Sequence, residues 1–103
     1  MKFYLTAAIP YVNAKPHIGH ALEFVEGDVI ARYHRAKGDE VFYLNGTDEN
    51  SLKVLQAAEK EGVDTKKYAD VYSEKFRDFL KLYNISYDIF MRTTDPAHIA
   101  SAQ

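Results

Sequence analysis

Cysteine is absent from this 103-residue chain, so it has neither a disulfide framework nor a thiolate zinc site. Long apolar runs are absent as well: nothing approaches the ~20 residues needed to span a bilayer. The first residues lack the charged, apolar and small-residue succession of a secretory leader, and the expected location is cytoplasmic. There is no excess of positive charge. Thirteen basic residues against fifteen acidic give a net charge of −2, which argues against a chain whose main task is coating nucleic acid while leaving room for a local basic face. Histidine is sparse, and of the four only His17 and His20 lie close together. Repeats, low-complexity tracts and linkers are missing. What is present, 47% hydrophobic and 27% charged residues, is the mixture of an ordinary soluble domain. The length allows one core but not two.

The stretch around which the rest is arranged is Ala8-Ile9-Pro10-Tyr11-Val12-Asn13-Ala14-Lys15-Pro16-His17-Ile18-Gly19-His20. Aromatic and branched residues from Lys2 to Ala8 predict a strand leading into it. Two prolines and an asparagine make it a loop. Ile18, Leu22, Val25, Val29, Tyr33 and Ala36 then recur at spacings of three and four, the stripe of a helix from about Ile18 to Lys37. Gly27 inside that helix costs ~1 kcal/mol relative to alanine, so close packing or drift put it there. Val41 to Asn45 predicts a second strand, and the polar cluster Asn45 to Ser51 a second strand-to-helix join. A short helix follows from about Ser51 to Glu61, with Leu52, Leu55 and Ala58 inward and Gly62 closing it. Asp64 or Thr65 caps a third helix with the stripe Ala69, Tyr72, Phe76, Phe79 and Tyr83, and Asn84 is a left-handed stop. Ser86 to Arg92 predicts a third strand, and Asp95-Pro96 a cap with proline in the first helical position. The alternation implies an α/β fold with a parallel sheet and right-handed crossovers. A last helix that has barely begun suggests a fragment of a longer protein.

Two histidines three apart at the start of a helix share one face and can donate hydrogen bonds to phosphate oxygens, near the positive end of the helix dipole. Charge grows on a phosphoryl group during transfer, so fixed donors there stabilise a transition state more than a ground state. Gly19 between them would let a flat base or ribose approach the backbone. An unremarkable helix start and a metal pair are the alternatives; helical metal ligands are usually four apart, and no third ligand is evident. Spacing alone leaves phosphate binding and the plain helix start both standing. Asp48, at the carboxyl end of the second strand, suits an ammonium group or a ribose hydroxyl; as a cap for the helix at Ser51 it has the simpler explanation. Ile9 and Tyr11 read most simply as core. Lys15 faces a triphosphate or solvent, and Arg32, Arg35 and Lys37 read as solvated helix-end charges.

Pro16-His17-Ile18-Gly19-His20 resembles the "HIGH" signature of class I aminoacyl-tRNA synthetases, and it falls between first strand and first helix as that class requires. Ala8-Ile9-Pro10-Tyr11-Val12-Asn13 before it, Gly46-Thr47-Asp48-Glu49 closing the second strand, and Asn84-Ile85-Ser86-Tyr87-Asp88 and Arg92-Thr93-Thr94-Asp95 downstream resemble the methionyl-tRNA synthetase family in particular. The resemblance covers essentially all of this chain but only the first part of such an enzyme. It implies a Rossmann-like parallel sheet with helices on both faces, of which residues 1–103 are the N-terminal, incomplete part of the nucleotide-binding domain.

The activity implied is that of an ATP-dependent ligase whose partners are ATP with Mg2+, L-methionine and tRNA, with no membrane and no metal-ligand set in this segment. By the same resemblance His17 and His20 bind the phosphates and stabilise the in-line transition state. Gly19 lets the adenosine lie against the helix start, and Glu23 lies near the ribose. Asp48 takes methionine's α-amino group, while Ile9 and Tyr11 line the pocket for the thioether. Two departures stand out: Asn50-Ser51 replaces the family's usual histidine and glycine, and Gly27 a more usual alanine. The second ATP signature, the zinc-bearing insertion and the anticodon-binding helices are not among these residues, so the segment alone is expected to be inactive. Other readings are a different nucleotidyltransferase with the same histidine signature, or a truncated non-catalytic nucleotide- or partner-binding protein. The Pro10-Tyr11 lead-in and the Gly46-Thr47-Asp48-Glu49 context favour the synthetase.

Overall fold

A computed structural model describes residues 1–103. Strands β1 (Lys2–Thr6), β2 (Glu40–Thr47) and β3 (Ile89–Arg92) form one parallel sheet in the order β1-β2-β3. Helix α1 (Ile18–Ala36) crosses from β1 to β2, α2 (Leu52–Glu61) and α3 (Thr65–Leu82) lead from β2 to β3, and α4 (Pro96–Ala102) follows. Lys2 pairs with Glu40 and Thr6 with Leu44, whereas β3 pairs with β2 only from Leu44 to Thr47. The strand ends therefore climb from β1 to β3, and the loop after β1 continues beside β2 until Tyr11 forms a parallel bridge with Asp48.

Both crossovers advance the same way along the sheet, which for right-handed connections puts their helices on one face. Phe3, Tyr43 and Thr47 point to that face. The Phe3 ring stacks on His34 of α1 at 3.6 Å between centroids, the Tyr43 hydroxyl donates to the Phe24 carbonyl at 3.1 Å, and Thr47 and Ser73 hydroxyls meet at 3.3 Å. The core lies here, with Val12, Phe24, Tyr43, Val54, Phe76 and Leu80 nearly or wholly excluded from solvent. On the opposite face Tyr4 and Phe42 pack on each other, 5.8 Å between centroids, and stay exposed. The parallel α/β sheet is the expected one; the helices that cover it here cover one side.

The stripe that marks α1 in the sequence is not its buried face. Ala21, Phe24, Asp28 and Ala31 turn inward, while Ile18, Leu22, Val25, Val29 and Tyr33 are exposed. Small residues decide the matter, because they let the helix lie close to the sheet. A Cβ on Gly27 would sit 2.3 Å from the Tyr43 hydroxyl oxygen, so close packing accounts for that glycine. In α2 the inward residues are Val54 and Ala58, with Leu52 and Leu55 exposed rather than buried. Ser51 caps α2 by accepting from the Val54 N–H, Gly62 ends it in the left-handed region, and Asp64 caps α3 through the Lys67 N–H. Asn84 takes the left-handed conformation expected of it, φ 54°. Asp95 precedes Pro96 as expected, but its carboxylate accepts from the Arg92 N–H instead of capping the helix.

Arg32 and Arg35 are not solvated helix-end charges. Arg32 donates to Asp28 at 2.7 Å and to the Asn84 carbonyl at 2.6 Å. Arg35 donates to the hydroxyl and carbonyl of Ser86 and to Asp88. Ser86 in turn donates through N–H and hydroxyl to the buried Asp28. Burial alone would raise the Asp28 carboxyl; the hydrogen bonds from Ser86 and Arg32 outweigh it and hold the group below the ordinary carboxylate range. This network occupies residues 86–88, and β3 begins only at Ile89.

Candidate functional site

The loop from Ala7 to His17 is held at several points. Val12 is fully buried, the Asp48 N–H donates to the Pro10 carbonyl at 2.8 Å, and the Tyr68 hydroxyl donates to the Asn13 carbonyl at 2.9 Å. Fixing the loop fixes the start of α1. There the usual serine or aspartate cap is replaced by two histidines in a reciprocal box: His17 Nδ1 accepts from the Gly19 N–H at 3.0 Å, and His20 Nδ1 accepts from the His17 N–H at 3.1 Å. A backbone N–H can only donate, so in each neutral ring Nδ1 carries the lone pair and Nε2 the proton. The box thus presents two outward Nε2–H donors in a defined tautomer. A Cβ on Gly19 would come 2.8 Å from the His17 ring, so glycine is what lets the ring close on that N–H.

The rings of His17 and His20 stack with centroids 3.9 Å apart, and His20 also meets the edge of Phe76 at 5.1 Å. Burial, and secondarily the adjacent His17, push the His20 pKa down, against a smaller upward pull from Glu23. The surroundings of His20 therefore favour its neutral ring. Glu23 lies one turn beyond it on an exposed face, and no acidic residue in the first turn competes for the helix N-terminus.

On the other side of the loop, Tyr11 and Asp48 are brought side by side by their bridge. Ile9 and Tyr11 are 37% and 45% exposed, so they are not core residues; Val12 fills that role. Nor is Asp48 the helix cap, because Ser51 is. The Asp48 carboxylate accepts from the Asn50 N–H at 3.1 Å and borders a cleft of about 400 Å³ lined also by Asn50, Thr93 and His98. The histidine box with Gly19 and Glu23 thus follows this loop at the start of α1, while Tyr11 within the loop meets Asp48 at the end of β2. Lys15 lies on the loop's exposed part.

What lies beneath Asp48 is not visible in the sequence. The Glu49 side chain is wholly buried, with both oxygens held by Arg92: Nε at 2.9 Å and Nη2 at 2.5 Å. The Thr94 hydroxyl adds a bond at 3.2 Å, and Arg92 reaches Asp70 at 2.6 Å. The one available signal, a charged residue at each of two neighbouring strand ends, does not reveal that they meet. Nowhere do three histidine or carboxylate side chains converge as a metal-ligand set, and no helix is long and apolar enough to cross a membrane.

Residues 3–103 match the family of class I tRNA synthetases (M). The chain belongs to that family. It is 48% identical over all 103 residues to a methionine–tRNA ligase of Thermotoga maritima, covering 16% of that relative, and 48% identical over 102 residues to the one of Mesorhizobium japonicum, covering 20%. Its fold is similar to that of Mycobacterium tuberculosis methionyl-tRNA synthetase in complex with methionyl-adenylate, with a TM-score of 0.97 and 46% identity over 98% of this chain and 20% of that one. The Rossmann-like class I sheet expected from the signature is thereby shown. The chain spans a fifth or less of the length of these relatives.

Proposed function

We propose that residues 1–103 are the N-terminal part of the catalytic nucleotide-binding domain of a methionine–tRNA ligase, and that they supply one wall of its active site. The observation that carries this reading is the histidine box: two stacked imidazoles fixed in the Nε2–H tautomer, at the end of the loop whose Tyr11 bridges to Asp48. That relatives matched over the whole chain are methionine–tRNA ligases supports it over another nucleotidyltransferase or a non-catalytic binder.

In this reading a methionine carboxylate oxygen attacks the α-phosphorus of ATP, the P–O bond to the β-phosphate breaks, and pyrophosphate leaves with methionyl-adenylate behind it. A ribose hydroxyl at the end of tRNA then takes the acyl group and AMP departs. His17 and His20 donate to phosphate oxygens as charge shifts to them, worth ~10²–10³ in rate for one such donor. Gly19 leaves room for adenosine, and Glu23 lies on the ribose side. Asp48 holds the α-ammonium, and Ile9 and Tyr11 face the thioether. Mg2+ enters with ATP as the counter-ion of its phosphates. Methionine-dependent exchange between pyrophosphate and ATP in the full-length protein tests the proposal. Exchange is expected with methionine and is lost in His20→Ala; full activity in that variant, or selective activation of another amino acid, overturns it.

A further inference from the structure

We infer that Arg92 is a positioning residue for the amino-acid ammonium, acting through Glu49 on Asp48; this rests on the function proposed above. Asp48 and Glu49 are adjacent carboxylates at the end of β2, and a single ammonium needs only one. The structure separates their tasks. Both Glu49 oxygens are committed, to Arg92 and to Thr94, inside the protein. Asp48 stays half-buried at the cleft, where its carboxylate accepts from the Asn50 N–H.

The same residues hold the turn from both sides. The Glu49 N–H donates to the Thr93 hydroxyl at 2.8 Å, the Thr93 N–H donates to the Thr47 carbonyl at 3.2 Å, and the Asp48 N–H is tied to the Pro10 carbonyl. Arg92 is itself fixed. Its backbone N–H donates to Asp95, its guanidinium spans Glu49 and Asp70, and the bond to Glu49 above all holds it more firmly protonated than an ordinary arginine. Without Arg92, Glu49 keeps a buried charge with no cation beside it. Turning the residue outward relieves that charge, and doing so drags the Asp48 turn along and offers the ammonium a second, wrongly placed carboxylate. Asp70 is 42% exposed and falls back on solvent and Lys66.

The test compares Arg92→Met with the double variant Glu49→Gln/Arg92→Met in the full-length protein. In Arg92→Met the KM for methionine is expected to rise ~10- to 100-fold, the scale of an ångström-level misplacement, with the KM for ATP nearly unchanged. The double variant, which has no orphaned charge, recovers most of that loss. Equal rises in both KM values, a fall in kcat alone, or a double variant as impaired as the single one overturns the inference. Hydrogen exchange at the Glu49 and Asn50 amides is read in parallel: faster in Arg92→Met and restored in the double variant, with no change counting against the inference. A wild-type protein that does not activate methionine refutes the proposed function instead, and the exchange measurement still decides whether Arg92 holds the turn.

Discussion

At His20 the two ring nitrogens have separate tasks, one closing the cap and the other free to donate. His20→Asn keeps a short acceptor near the His17 N–H and removes the outer donor, whereas His20→Gln carries at the third helical position the amide oxygen that a capping box uses, with an amide N–H in place of the outer donor. Loss of the outer donor is expected to lower the exchange rate ~10²–10³-fold with thermal stability largely retained in His20→Asn, and His20→Gln to retain more of the rate at similar stability. Kinetics and melting of the two proteins read both. The lowered pKa of His20 also has a direction for stability. The folded state disfavours the charged ring, so the stability from keeping it neutral is present above the ordinary value of about 6.5 and is lost as pH falls below it. An NMR titration is expected to place its midpoint below 6.5, and lower still in Glu23→Gln, since Glu23 is the one charge pulling it up. At this scale His17 and His20 stand out by their spacing, whereas Tyr11 reads as core and Asp48 as a cap until the family resemblance is taken in. The pairing of Glu49 with Arg92, 43 positions apart, does not stand out.

Among the elements, order and most caps follow from local chemistry, since Ser51, Gly62, Asp64 and Asn84 act within a turn of their own helices. The faces were less legible. Helix α1 carries two usable stripes, and the more apolar one is exposed because Ala21, Gly27 and Ala31 let the other approach the sheet. The Gly27–Tyr43 contact makes this measurable. Gly27→Ala is expected to destabilise by ~1–3 kcal/mol through overpacking, despite the better helix propensity of alanine. Adding Tyr43→Phe, which removes the hydroxyl that the new methyl meets, is expected to recover part of the loss. Urea unfolding of the single and double variants gives the coupling; an additive pair contradicts the packing explanation.

Taken whole, the molecule is a slab of 49 × 34 × 16 Å, one layer of helices on one sheet. Its radius of gyration of 14.8 Å exceeds the ~13 Å of a compact chain this size. The outer stripe of α1 and the Tyr4–Phe42 face leave apolar surface in water. The isolated 103-residue chain is accordingly expected to bind an apolar fluorescent dye and to show no pyrophosphate exchange; a monomer that ignores the dye and is active contradicts this. The stretch from Ala8 to His20 is where the scales meet, with the histidine box at its end and the Tyr11–Asp48 bridge before it. The most direct test of that division is pyrophosphate exchange by full-length wild-type, His20→Asn and Asp48→Asn proteins, with methionine and ATP each varied. His20→Asn is expected to lower kcat with the KM for methionine nearly unchanged, and Asp48→Asn to raise the KM for methionine with the KM for ATP nearly unchanged. The reverse assignment, or identical effects of both variants on both substrates, contradicts it.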